Sequence, residues 1–304
     1  MRILFIGGTR FVGLAIAREA IARGHDVTVF HRGTTIPDGL DGAEFLRGDR
    51  DGDTSALRGE RVWDATIDVC AYRPHQVDRL AADLGERGGK HVFISTVSVY
   101  DQSIPAGCDE TAPLASLEPL VGLDTATCEM TGERYGPLKV MCEQRVRALY
   151  VDALVIRPTY VIGPDDYTMR FPTWVQRISE GGVVQAPLPR ENPMQYVDAR
   201  DQAQFIISLL ERGASGNFHT PVPAVTFESM LTTIVEAIGG ADTTVEWVHP
   251  DESALQPLDF PLWAGPEPVG MMAMDPSAAI AAGLTFRPLA QTVRDTAEWL
   301  ARRA

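Results

Sequence analysis

The residues with the clearest chemical potential are Tyr135 and Lys139, four positions apart in Tyr135-Gly136-Pro137-Leu138-Lys139. The chain has seven tyrosines but only two lysines, Lys90 and Lys139, and its other 25 Lys/Arg positions are all arginine. On a helix, residues i and i+4 share a face, so the phenol and the ammonium would point the same way. A free phenol titrates near ~10 and is a poor base at neutral pH, whereas a neighbouring ammonium favours the phenolate. Such a pair can take a proton from an alcohol, or give one to a carbonyl, while a nicotinamide moves the hydride. The flat guanidinium of arginine has a different shape and does not replace lysine in this role. The arrangement calls for a helix that begins near Tyr135, with Pro137 in its first turn.

Two further groups of residues fit that chemistry. Ile94-Ser95-Thr96-Val97-Ser98-Val99-Tyr100 follows an apolar run, and hydroxyls at a strand's carboxyl end face the crevice where doubly wound sheets bind ligands. Ser95, Thr96 and Ser98 are equal candidates to hold the reacting oxygen. Near the start, Gly7-Gly8-Thr9-Arg10-Phe11-Val12-Gly13 lies between an apolar run and a helical pattern. Glycines there let the backbone turn sharply and approach a pyrophosphate seated at the helix N-terminus. No GK[ST] follows, which sets aside a P-loop nucleotidase. At Phe30-His31-Arg32, where an NAD-selective site usually places an acid, the basic pair suits the 2′-phosphate of NADP, with Arg10 expected nearby. NADP is therefore the preferred cofactor, with NAD as the alternative.

The elements that must position these residues are legible as an alternation. Apolar, β-branched runs at 3–6, 26–30, 42–48, 65–69, 91–95 and 153–157 read as strands, and 11–22, 75–84 and 139–150 read as helices. Alternation of this kind predicts an α/β doubly wound parallel sheet of Rossmann type. After about residue 165 proline-rich stretches at 186–194 and 257–268 interrupt helical patterns around 171–180, 199–212, 226–238 and 289–303. The expected organisation is a dinucleotide-binding domain of 1–165 plus about 196–219. A smaller, discontinuous substrate domain takes about 166–195 plus 220–304. Trp174, Tyr167, Phe171, Met194 and Trp263 are candidates to line its pocket; no arginine clamp for a diphosphate stands out, because Arg170, Arg177 and Arg190 read equally well as solvated charges.

Composition narrows the class. A formal net charge of −14 argues against a nucleic-acid groove, and no run approaches the ~20 apolar residues of a membrane span. Cys70, Cys108, Cys128 and Cys142 form no CxxC pair, and the six histidines show no HxH or HxxxH spacing, so neither a disulfide framework nor a metal site is expected. The opening MRILFIGGTRFVG reads as a buried first strand, not a signal peptide, which implies a cytoplasmic protein.

Taken together, GGTRFVG, the GDR at 48–50, ISTVSVY, DETAPL at 109–114, YGPLK, RPTYVIGP at 157–164 and YVDARD at 196–201 resemble the extended and atypical short-chain dehydrogenase/reductases, including the NAD-dependent epimerase/dehydratase group. The glycine pattern GGxxxxG and the ending GLTFRPLAQTVRDTAEW look like an atypical branch. The resemblance implies a catalytic set of Thr96, Tyr135 and Lys139, with Lys139 also binding the nicotinamide ribose. It implies that Asp49 contacts adenine with Arg50 beside it, and that Val69, Cys70 and Ala71 pass the adenosine ribose. Pro158 would line the nicotinamide pocket, and Gly7, Thr9, Arg10, Phe11, Val12, Gly13 and Arg32 would complete the cofactor site. Pairing of crossover helices into a homodimer is a further implication. The chain departs from the pattern where Arg10 replaces a glycine, where Tyr160 stands in place of an asparagine common in sugar-nucleotide enzymes, and where no acidic dyad accompanies Thr96.

The leading expectation is an NADP-preferring oxidoreductase that interconverts a carbonyl and a secondary alcohol on a small organic substrate. The alternative is an epimerase or dehydratase of a sugar nucleotide that recycles its hydride internally. A third possibility is a non-catalytic cofactor-binding regulator or RNA-associated scaffold.

Overall fold

The computed structural model describes residues 1–34, 38–250, 260–267 and 269–303. Of the proline-rich stretch expected at 257–268, residues 257–259 and 268 lie outside the described residues. Among the described residues the strands are, in chain order, β1 (Arg2–Ile6), β2 (Asp26–His31), β3 (Glu44–Arg47), β4 (Ala65–Asp68), β5 (Lys90–Ile94), β6 (Leu154–Arg157), β7 (Tyr160–Ile162), β8 (Val183–Pro187), β9 (Pro193–Met194), β10 (Tyr196–Asp198), β11 (Gly216–His219), β12 (Val225–Thr226) and β13 (Thr244–Val248). The helices are α1 (Phe11–Ala22), α2 (Pro74–Leu84), α3 (Gly132–Leu149), α4 (Arg170–Glu180), α5 (Ala199–Glu211), α6 (Phe227–Ile238), α7 (Ser277–Ala281) and α8 (Leu289–Ala301).

Seven strands form one parallel sheet in the order β11-β6-β5-β4-β1-β2-β3, the doubly wound α/β arrangement that the alternation predicts. Both faces are covered, which explains why the strands are continuously apolar. Ile3 and Phe5 of β1 pack with α1 and α5 on one face, while Leu4 and Ile6 join Leu80 and Leu84 of α2 on the other. A second apolar core gathers Trp174, Phe171, Ile178, Met230, Ile234 and Val293 from α4, α6 and α8. Ala279 and Leu284, in and just after α7, return to the first core.

Helix α3 departs from expectation. It begins at Gly132, seven residues before the apolar pattern that first marks it, and Pro137 lies inside it, not in its first turn. Proline has no N–H to donate to the carbonyl of Glu133, a loss of about 3 kcal/mol in a helix interior. Burial of Leu138, Val140, Cys142 and Val146 compensates by fastening the helix to the sheet. Gly136 sets how close it comes: a Cβ there would fall 2.1 Å from the carbonyl oxygen of Ser98. The Gly136-Pro137 pair thus lets α3 press against the turn after β5 and carries Tyr135 to Thr96.

Candidate active site

A cleft of about 1170 Å³ runs along the carboxyl ends of the parallel strands. Its lining includes every residue expected to bind the cofactor or act in catalysis, with the exception of Ala71. Ala71 is fully buried and contributes its carbonyl oxygen to Lys139 instead of a surface to the cleft.

At the glycine loop, Gly7 and Gly8 adopt φ of +91° and +99°, conformations that only glycine holds without strain. Gly13 has a different duty: a Cβ on it would lie 2.7 Å from the Cα of Gly8, so its absence lets α1 sit directly on the loop. The first turn of α1 has no side-chain cap, which leaves N–H groups available to an anion. Arg10 stands over the ring of Tyr167 at 5.1 Å, bridging the loop and the far wall of the cleft.

At the ends of β2 and β3, His31, Arg32 and Asp49 line the cleft. Arg47, which the sequence did not single out, packs against Gly33 and lowers the His31 imidazole below its usual value, in addition to the larger effect of burial. Arg50 lines the cleft, but its guanidinium is committed: Nη1 and Nη2 donate to the two oxygens of buried Asp68 at 2.6 and 3.0 Å. Burial alone would raise Asp68; the paired Arg50 outweighs it and holds the carboxyl below the ordinary range. Arg50 therefore shapes the adenosine end as a fixed wall, not as a free cation.

The hydroxyl trio is resolved by its partners. Ser95 Oγ donates to Glu143 Oε1 at 2.6 Å, so it belongs to a buried network. Arg157 completes that network with bonds of 2.9 and 2.7 Å to the two oxygens of Glu143 and one of 2.9 Å to Tyr100 Oη. Thr96 Oγ1 donates to Ser98 Oγ at 3.2 Å and lies near enough to the Tyr135 phenol to oppose the effect of burial on it. Thr96 and Tyr135 are thus together at the cleft surface, with Ser98 beside them.

The electrostatics of the pair differ from the simple expectation. Burial pushes the Tyr135 phenol up, and the groups that oppose it are Thr96 and the charge of Arg170, not Lys139. Lys139 is 1% exposed, and its Nζ donates to the carbonyls of Ala71 and Ile94, each at 2.8 Å. Burial pulls its ammonium down to about 8. The lysine is held by the sheet's carboxyl edge, with two of its three donors spent there. Tyr72, absent from the sequence-based set, lies near both: its ring centroid is 6.4 Å from that of Tyr135 and 5.6 Å from Lys139 Nζ. A signal was available, since Tyr72 lies four residues past the end of β4, where strand-end loops line the crevice.

The substrate wall corrects the aromatic list. Tyr167 and Trp263 line the cleft, as does Arg170, whereas Trp174, Phe171 and Met194 are at most 1% exposed in the second core. Arg190 pairs with Glu191 and Glu228 outside the cleft, and Arg177 lies over Trp174. Tyr160, Leu262, Met271 and Met272 add an apolar surface on this side. Among the described residues no cluster of His, Cys, Asp or Glu could hold a metal ion, and no helix is long and apolar enough to cross a membrane.

With this geometry in view, the relatives are informative. Residues 75–220 match the model of the NAD dependent epimerase/dehydratase family, a family of enzymes. Over 271 residues the chain is 26% identical to chloroplast stem-loop binding protein of 41 kDa b from Arabidopsis thaliana, covering 83% of this chain and 67% of the relative. It is 34% identical over 134 residues to the probable low-salt glycan biosynthesis reductase Agl14 of Haloferax volcanii, 42% of each chain. In fold it is similar to the Bordetella bronchiseptica enzyme WbmG in complex with NAD and UDP, with a TM-score of 0.70 at 16% identity, across 100% of this chain and 96% of that one. The motifs along the cleft and the match over residues 75–220 together make the chain similar to the NAD dependent epimerase/dehydratase family.

Proposed function

We propose that this chain binds NAD(P) in the cleft and interconverts a secondary alcohol and a carbonyl on a sugar nucleotide, returning the hydride to the same substrate as an epimerase does. The observation that carries the reading is the convergence of Thr96, Tyr135 and Lys139 on one cleft, with the Lys139 ammonium buried in its wall. In its ionised form Tyr135 takes the substrate's hydroxyl proton, and Thr96 holds the same oxygen by a hydrogen bond. The remaining Lys139 donor would be available to the cofactor's ribose, since the other two are held by the carbonyls of Ala71 and Ile94. When bound, the nicotinamide supplies hydride acceptance and return. Val97 and Ser98 follow Thr96 where an elimination would call for carboxylates, so epimerisation is favoured over dehydration. The family match and the likeness to an enzyme in complex with NAD and UDP support this choice of substrate. The acidic net charge of −14 suits a small-molecule substrate better than a nucleic acid, and four free cysteines suit a cytoplasmic setting.

A second reading, an NADPH-consuming reductase of a small carbonyl compound, is favoured by one feature: His31, Arg32 and Arg47 surround the end of β2, where a 2′-phosphate would find two cations and no acid at the strand end. The two readings part on one experiment. The purified chain is denatured, its released nucleotide identified, and the protein assayed with UDP-sugars. Retained NAD(H) and sugar conversion without net change in nicotinamide absorbance support the epimerase. Net NADPH oxidation with carbonyl substrates supports the reductase, and failure to bind either nucleotide overturns both.

A further inference from the structure

The Lys139 ammonium is the most deeply buried charge in the cleft wall, and two backbone carbonyls do not account for all of its surroundings. Its Nζ lies 4.1 Å from the ring centroid of Phe93 and 5.6 Å from that of Tyr72. Phe93 is a core residue of β5 with no exposure, whereas Tyr72 is 42% exposed and lines the cleft. The ammonium is therefore flanked by a fixed ring on the sheet and a second ring at the cleft edge. The face of an aromatic ring attracts a cation, and more strongly where water is excluded. The same Tyr72 ring leans on Tyr135 at 6.4 Å and 41° between planes. Among the described residues, no other ring contacts both members of the pair.

We propose that Tyr72 is a positioning residue: with Phe93 it forms an aromatic cage that keeps the Lys139 ammonium charged and holds it beside Tyr135. The proposal rests on the enzymatic reading for its purpose, but not for its test. A neutral Lys139 would have one donor fewer for the two carbonyls and the cleft, so a device that retains the charge bears directly on the working pH range. Burial drives the amine toward the neutral form, and the ring faces act in the opposite sense.

The groups facing Lys139 leave its titration easy to isolate. Asp68 on β4 is held low by Arg50, whose own guanidinium stays charged throughout. On α3, Glu143 is held low by Arg157 and Ser95 despite its burial, and burial pushes Cys142 up to about 12. Burial likewise raises Cys70, Tyr72 and Tyr135, and pulls His91 down to about 4. Lys139 is thus the group in this neighbourhood with a midpoint near 8.

Because the chain has only two lysines, ¹³Cε-lysine labelling gives two NMR signals, and Lys90→Arg assigns them. Wild-type protein is expected to show the Lys139 signal titrating near about 8. Tyr72→Leu, which keeps an apolar side chain and removes the ring face, is expected to lower that midpoint by ~0.5 pH unit or more. Tyr72→Phe, which keeps the face and removes the hydroxyl, is expected to restore the wild-type midpoint. An unchanged midpoint in Tyr72→Leu, or an equal fall in both variants, overturns the cage. NADH binding measured on the same samples tests the enzymatic reading separately. A protein that fails to bind nucleotide yet shows the Tyr72→Leu displacement refutes the function and leaves the cage standing.

Discussion

The two halves of the cleft are built on different principles. The cofactor half is a property of backbone: parallel strand ends, two glycines at positive φ and a glycine on which α1 rests directly. The substrate half is a property of side chains brought together from distant segments, with Tyr160, Arg170, Trp263 and Met271 on one wall. The first kind of site is specified within a few residues and tolerates little change at its glycines. The second depends on tertiary packing, and its chemistry can be altered without disturbing the sheet.

This contrast predicts a graded set of responses. Gly13→Val drives a branched side chain into the Gly8 backbone, and overpacking of that kind costs enough to weaken NAD(P)H binding by about 100-fold in a fluorescence titration. Equal binding by the variant would mean that α1 need not rest on the loop. On the reductase reading, Arg32→Ala removes one charge-assisted contact to a 2′-phosphate and should lower the ratio of NADPH to NADH affinity by about 10-fold, measured by competition. An unchanged ratio assigns the phosphate to Arg47 or denies it a site. Arg170→Ala should leave NAD(P)H affinity unaltered, because it belongs to the other half, while raising the KM of an anionic substrate. A parallel loss of nucleotide affinity would erase the distinction between the halves.

The same division explains what could be read from sequence. Strands such as Ile3–Ile6 and Leu154–Arg157 were legible because burial on both faces demands unbroken apolar runs. The Tyr135–Lys139 spacing was legible because helical periodicity is local. The start of α3 was not: Gly132, Gly136 and Pro137 are poor helix formers, and only contact with Ser98 and the sheet justifies them. Ser95 could not be told from Thr96 because its partner, Glu143, is 48 residues away. The pairing of Arg50 was hidden for the same reason, its acceptor Asp68 lying 18 residues on, in β4. Trp174 and Phe171 looked like pocket residues because an aromatic side chain has the same signature in a core as in a binding wall. Tyr72 gave no signal by type; its importance comes from the two residues it touches.

On the proposed function, the Tyr135 phenol exchanges the proton while the rest of the cleft positions the reactants. The most direct test is Tyr135→Phe, assayed for turnover of whichever substrate the wild-type protein converts and for NAD(P)H affinity. A fall in kcat of about 10²- to 10⁴-fold, with nucleotide affinity unchanged, is the predicted result. Turnover at the wild-type rate in that variant would contradict the assignment and transfer the proton chemistry to another group.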